Sequence, residues 1–249
     1  MLICFVMEQR GPAKGKVVTL KTAQKCVELT LDGKQRLDLS LKEIAAVPKC
    51  VQKLCHVDEL DLSRNLITKV PSFIDQFTSL CVLDLHSNYI EELPVIIGRL
   101  QKLQVLNLCN NRLTSLPHEV GLLAKLHTLS LGLNRLEALP SSVGALKELR
   151  SLGLSDNRFT RVPSCLSRLS KLERVNLDRN PIDAKQTSGA ETVTISQDFH
   201  LVKESFLCLD CLNKCKTDRQ LGEIQQNIKT SLILLQSVLT WISSSSFQC

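Results

Sequence analysis

Aromatic residues are scarce in this 249-residue chain: one Trp, one Tyr and seven Phe, 4% in all. Stacking platforms for single-stranded nucleic acid need more aromatic faces than that. No apolar run approaches the ~20 residues of a membrane span. The longest candidate, Leu232 to Ile242, carries Gln236, Ser237 and Thr240 inside it. The opening Leu2 to Met7 is apolar but lacks a basic start and a small-residue cleavage site, so no signal peptide is expected; Met7 is a candidate alternative start. Catalytic signatures are missing too. His118-Glu119 has no second His four residues on, and no Gly-x-Ser-x-Gly elbow occurs. Gly11 to Lys16 falls one residue short of a phosphate loop and is followed by Val17. The net charge of +6 permits weak attraction to acidic partners and diagnoses none.

What the chain does have is a period. Asn65, Asn88, Asn111, Asn134, Asn157 and Asn180 are spaced by 23 residues, and so are Pro48, Pro71, Pro94, Pro117, Pro140 and Pro163. The shared skeleton is L-x-L-x-x-N-x-L-x-x-L-P, as in Leu83 to Pro94. A fixed period of this length means a solenoid, and this pattern is the leucine-rich repeat. Leucine pairs such as Leu60/Leu62 and Leu106/Leu108 alternate as a strand does. Each Asn falls where the strand turns, where its amide can both donate to and accept from backbone groups. Replacing one is expected to cost ~1–3 kcal/mol. Pro fixes φ and opens the return segment. Apolar rows at Val51, Ile74, Ile97, Val120, Val143 and Leu166, and at Leu54, Phe77, Leu100, Leu123, Leu146 and Leu169, complete an interior that only stacked repeats can bury.

The predicted fold is α/β: a curved leucine-rich-repeat solenoid with short parallel strands on the concave face and caps at both ends. Residues 1–16 read as a flexible basic leader and 17–35 as an N-terminal cap. In that cap Thr22 to Val27 forms a short helix, Val27 to Leu31 a strand, and Asp32-Gly33 a turn. Residues 36–182 hold seven repeat strands, the first degenerate with Lys42 in the asparagine position. Residues 183–229 read as a C-terminal cap, and 230–249 as an apolar tail that fits the rest least well.

Eleven cysteines, an odd count, are scattered and several lie inside repeats, which reads as reduced thiols in a cytosolic or nuclear protein; cytoplasmic is the location expected. Cys208, Cys211 and Cys215 are the best metal candidates, with His200 nearby. Three cysteines are an incomplete ligand set, so packing is the reading and no metal or other cofactor is expected.

The strand phase sorts the concave face into columns. Between the paired leucines come Asp38, Asp61, Asp84, Asn107, Ser130, Gly153 and Asn176. Before them come Arg36, Glu59, Val82, Val105, Thr128, Ser151 and Arg174; after them Ser40, Ser63, His86, Cys109, Gly132, Ser155 and Asp178. One end is acidic and the middle small. His86 reads as a solvated surface side chain near Asp84 and Asp61. Beside this face runs a basic ladder, Arg112, Arg135 and Arg158, suited to carboxylate or phosphate. The candidate partner-binding residues are therefore Asp61, Val82, Asp84, His86, Val105, Asn107, Cys109, Thr128 and Ser130 on the face, with Arg112, Arg135 and Arg158 beside it.

The segments Leu93 to Leu100, Leu116 to Leu123 and Leu139 to Leu146 follow L-P-x-x-[IV]-G-x-L. In this the chain resembles the intracellular 23-residue leucine-rich-repeat family. The resemblance implies a non-enzymatic, cytoplasmic adaptor used in male germ cells. A monomer that binds a protein partner and no nucleic acid is the expectation for the chain. The rival readings are a scaffold attached to membrane through the 221–242 stretch, a regulatory subunit of a signalling enzyme, and an enzyme in its own right.

Overall fold

In each 23-residue repeat the leucine pair makes a strand too short to stand alone, and the next repeat supplies its partner. The computed structural model describes residues 15–182. After a helix α1 (Leu20–Gln24) come β1 (Val27–Leu29), β2 (Gln35–Asp38), β3 (Glu59–Asp61), β4 (Val82–Asp84), β5 (Val105–Asn107), β6 (Thr128–Ser130), β7 (Ser151–Gly153) and β8 (Arg174–Asn176). They form one sheet in sequence order. β1 runs antiparallel to β2, and β2 to β8 are parallel, each residue paired with the one 23 further on. These seven parallel strands are the seven expected.

Both leucines of each pair are buried from Leu37/Leu39 to Leu152/Leu154. The rows Val51 to Leu166 and Leu54 to Leu169 close the other side of the same core. Each proline from Pro48 to Pro163 stands in extended conformation just before a 3₁₀ turn, for example His118–Leu122 after Pro117. Pro supplies that φ at no cost and has no N–H to leave unpaired.

The asparagines bind the stack. Asn134 Nδ2 donates to the carbonyls of Leu108, Leu131 and Gly132 at 2.9, 3.0 and 3.2 Å, and its Oδ1 accepts from Leu113 N at 3.0 Å. The same set recurs at Asn65, Asn88, Asn111, Asn157 and Asn180. Each amide thus serves its own repeat and the one before it. In the degenerate first repeat, Lys42 N and Ile44 N both donate to Asn65 Oδ1, so the neighbour's asparagine covers for the missing one.

The residue just before each ladder asparagine is left-handed: Arg64, Ser87, Asn110, Leu133, Asp156 and Arg179 all have φ of 53 to 57°, as does Leu41 in the first repeat. This conformation costs a non-glycine residue about 1–2 kcal/mol. It lets the chain turn off the strand while the asparagine side chain points back under it.

The N-terminal elements depart from the sequence reading by a few residues. α1 begins at Leu20, before the expected Thr22, because Thr19 Oγ1 accepts from Thr22 N and caps it. β1 stops at Leu29 rather than Leu31. Thr30 Oγ1 accepts from Lys34 N, and Gly33 takes a φ of +76°, which starts the turn early. The C-terminal cap of 183–229, the tail of 230–249 and the residues before Gly15 lie outside the described residues.

Candidate functional site

Every strand presents the residue between its two buried leucines, and the residues flanking the pair, to the same side. Parallel pairing in 23-residue register then lines these up as columns. Asp61 faces Asp84, Asp84 faces Asn107, Asn107 faces Ser130, and Val82, Val105 and Thr128 stand beside one another.

Not all of these side chains stand clear of the sheet. Val82, Val105, Thr128 and Ser151 are half-buried and form an accessible row. Asn107, Cys109, Ser130 and His86 are buried, with 7, 7, 7 and 8% of their surface accessible. The expectation that His86 is a solvated surface histidine is therefore wrong. Ser130 is likewise buried and is no position for a large surface substitution. Successive residues of a column pack closely: a Cβ on Gly132 would lie 3.1 Å from Ser155 Oγ and 3.7 Å from Cys109 Sγ. These buried side chains form the floor of the face, and the Val82–Ser151 row is its accessible part.

The acidic end is occupied by its own chemistry. Asp38, Asp61, Asp84, Asn107 and Asn176 each accept, through Oδ1, from the N–H two residues on, which belongs to Ser40, Ser63, His86, Cys109 and Asp178. Asp61 also binds Arg36 at 2.6 Å. Burial opposes the charge on Arg36, but Asp61, Asp38 and Glu59 outweigh it and raise the guanidinium pKa. Asp84 Oδ1 lies 2.7 Å from His86 Nδ1, and its Oδ2 accepts from Asn107 Nδ2 at 3.2 Å. These carboxylates hold strand ends, so less of their charge faces outward than the sequence suggests.

From Val105 to Ser155 the three columns carry no charged residue. The nine positions are Val105, Asn107, Cys109, Thr128, Ser130, Gly132, Ser151, Gly153 and Ser155. An uncharged floor costs little to desolvate, whereas a charge buried there would cost a great deal.

Beside the face, Arg112, Arg135 and Arg158 follow the ladder asparagines as expected, Arg112 half-buried and the other two exposed. Among the described residues no group of three or more His, Cys, Asp or Glu could hold a metal ion, and no helix is long and apolar enough to cross a membrane. The Cys208, Cys211, Cys215 and His200 cluster and the 221–242 stretch lie outside those residues.

Comparison with known proteins gives the class. Residues 97–195 match the family described as a leucine-rich repeat region, and residues 55–113 match leucine rich repeat. A leucine-rich-repeat protein of Leptospira interrogans is 33% identical, with TM-score 0.53 over 69% of this chain and 47% of that one. The leucine-rich-repeat ectodomain of a plant membrane receptor kinase from Arabidopsis thaliana, crystallised in complex with Casparian strip integrity factor 2, is 32% identical, with TM-score 0.54 over 58% of this chain and 18% of that one. An internalin of Listeria monocytogenes is 25% identical, with TM-score 0.51 over 57% and 40%. The chain spans less than half the length of these solved chains. The fold is thus a leucine-rich-repeat solenoid. Leucine-rich repeats are in general a non-enzymatic module of protein–protein interaction.

Proposed function

We propose that this protein is a non-enzymatic adaptor that binds a protein partner across the sheet face of repeats three to six. The observation that carries the reading is the uncharged stretch from Val105 to Ser155, with Val82, Val105, Thr128 and Ser151 accessible above a packed floor. Asp61, Asp84 and His86 border it at one end, and Arg112, Arg135 and Arg158 run beside it. A cytoplasmic location belongs to the proposal, supported by thiols placed inside repeats, such as Cys81 and Cys165; so does a monomeric form. Residues 11–229 also resemble leucine-rich repeat-containing protein 18, in segments such as Gly15 to Lys21, Asp58 to Ile67 and Gly144 to Leu149. That resemblance implies an adaptor used in male germ cells.

The test is a Val105→Arg, Thr128→Arg double variant, with like charges on paired strand positions so that they cannot neutralise each other. Both positions are half-buried and accessible, so melting is expected to stay near wild type, since surface changes usually stay within about 0.5 kcal/mol. Partners captured by affinity purification are expected to be lost, because a charge left unpaired at an interface centre costs about 3–5 kcal/mol. The control is Ser141→Lys, exposed on the opposite side in a 3₁₀ turn. A double variant that folds and keeps every partner sinks the reading.

A further inference from the structure

Some charged side chains of neighbouring repeats pair across the stack. Lys69 meets Glu92, Arg150 meets Glu173, Lys171 meets Glu148 and Arg179 meets Asp156, each pair 23 residues apart. The column Arg112, Arg135, Arg158 departs from this. None of the three forms an ion pair with an acidic side chain among the described residues, and Glu137, two residues past Arg135, pairs with none of them. Exposed Arg161 adds a further positive charge three residues past Arg158.

The column is also held in register. Arg112 N donates to Ile90 O at 2.9 Å, Arg135 N to Leu113 O at 2.9 Å, and Arg158 N to Leu136 O at 2.8 Å. This is a second backbone ladder just beyond the asparagines, and it sets the arginines about 4.8 Å apart, the spacing of hydrogen-bonded strands. Arg112 is steadied further, with its guanidinium carbon 4.6 Å from the centroid of the Tyr89 ring. Three like charges at that spacing repel one another, and an anionic partner relieves the repulsion.

We infer that this column takes an acidic α-helix of a protein partner, with a carboxylate presented once per turn. The inference rests on the reading of repeats three to six as a protein-docking region. The spacing selects the helix. One turn rises about 5.4 Å, so over two rungs a row of carboxylates drifts by only about 1 Å. In an extended strand, side chains on one face recur every ~6.8 Å, and the drift over two rungs is about 4 Å. Each guanidinium fork can then meet one carboxylate through two N–H groups, which a lysine could not do.

The experiment measures fluorescence anisotropy of the full chain with two labelled alanine-based helical peptides of identical composition. One carries glutamates at i, i+4, i+7 and i+11, on one face; the other spreads them around the helix. The aligned peptide is expected to bind at least about tenfold more tightly, to weaken as salt rises, and to lose its advantage in the Arg112→Gln, Arg135→Gln, Arg158→Gln variant. That variant is checked by melting first. Equal binding of both peptides overturns the inference, as does an aligned-peptide affinity unchanged in the triple variant. The Val105→Arg, Thr128→Arg variant is measured alongside and is expected to keep the aligned peptide. Loss of the sheet-face contact and loss of the arginine contact are thereby read separately.

Discussion

Changing Asn134 to alanine is expected to lower the unfolding free energy by about 1–3 kcal/mol. The amide makes four hydrogen bonds in the buried turn: three from Nδ2 to the carbonyls of Leu108, Leu131 and Gly132, and one to Oδ1 from Leu113 N. Asn134 is 8% exposed, so water does not readily replace it. Alanine removes every one of these bonds; the three carbonyls keep Asn111 Nδ2, Asn157 Nδ2 and Asn110 N as donors, while Leu113 N loses its acceptor, and a buried group left unpaired costs about 1–3 kcal/mol. The loss spans two repeats, because Leu108 and Leu113 lie in the repeat before Asn134. It therefore weakens the contact between neighbours on which a repeat stack depends. Asn180, half-buried at the far end of the ladder, is the comparison and is expected to cost less. Urea unfolding followed by circular dichroism measures both. A cost below about 1 kcal/mol at Asn134 would remove the asparagine ladder as the clamp between repeats.

The second large effect is expected on the opposite side of the core. Gly121 lies in the 3₁₀ turn His118–Leu122, and a Cβ there would sit 2.3 Å from the Ser142 carbonyl oxygen and 2.7 Å from its carbon. These are backbone atoms of the next repeat and cannot swing aside as a side-chain tip can. Gly121→Ala must push two repeats apart or bend the turn, at a cost of about 1–3 kcal/mol. Changing the adjacent Leu122, which is 58% exposed, to alanine is expected to stay within about 0.5 kcal/mol. The pair of variants separates steric contact between turns from a general loss of apolar surface. Gly121→Ala with wild-type stability would show that the turns are not in contact there.

Much of this architecture can be read from spacing because the physics repeats with the sequence. A leucine pair, an asparagine and a proline each have a residue type that the position demands, and each recurs every 23 residues. The left-handed position before the asparagine was invisible for the opposite reason. Arg64, Ser87, Asn110, Leu133, Asp156 and Arg179 share a backbone angle and no side-chain chemistry, because the ladder on either side imposes the strain. The column of Asp38, Asp61 and Asp84 was misread in a different way. Its charge stood out in the sequence, whereas the bonds from Ser40, Ser63 and His86 N–H groups that occupy it appear only once the strands end. Phase alone also placed Ser130 and Val105 on one face correctly. It could not say that Ser130 lies in the floor and Val105 in the accessible row, because that depends on how closely neighbouring columns pack.

The most direct test of the proposed docking face is site-specific photo-crosslinking. A photoreactive side chain is placed at Thr128 in the accessible row, and in a second protein at Ser141 in the turn on the other side. Irradiation with partners bound is expected to join them to the Thr128 protein and not to the Ser141 protein. Crosslinks formed from Ser141 but not from Thr128 would contradict binding through the sheet face.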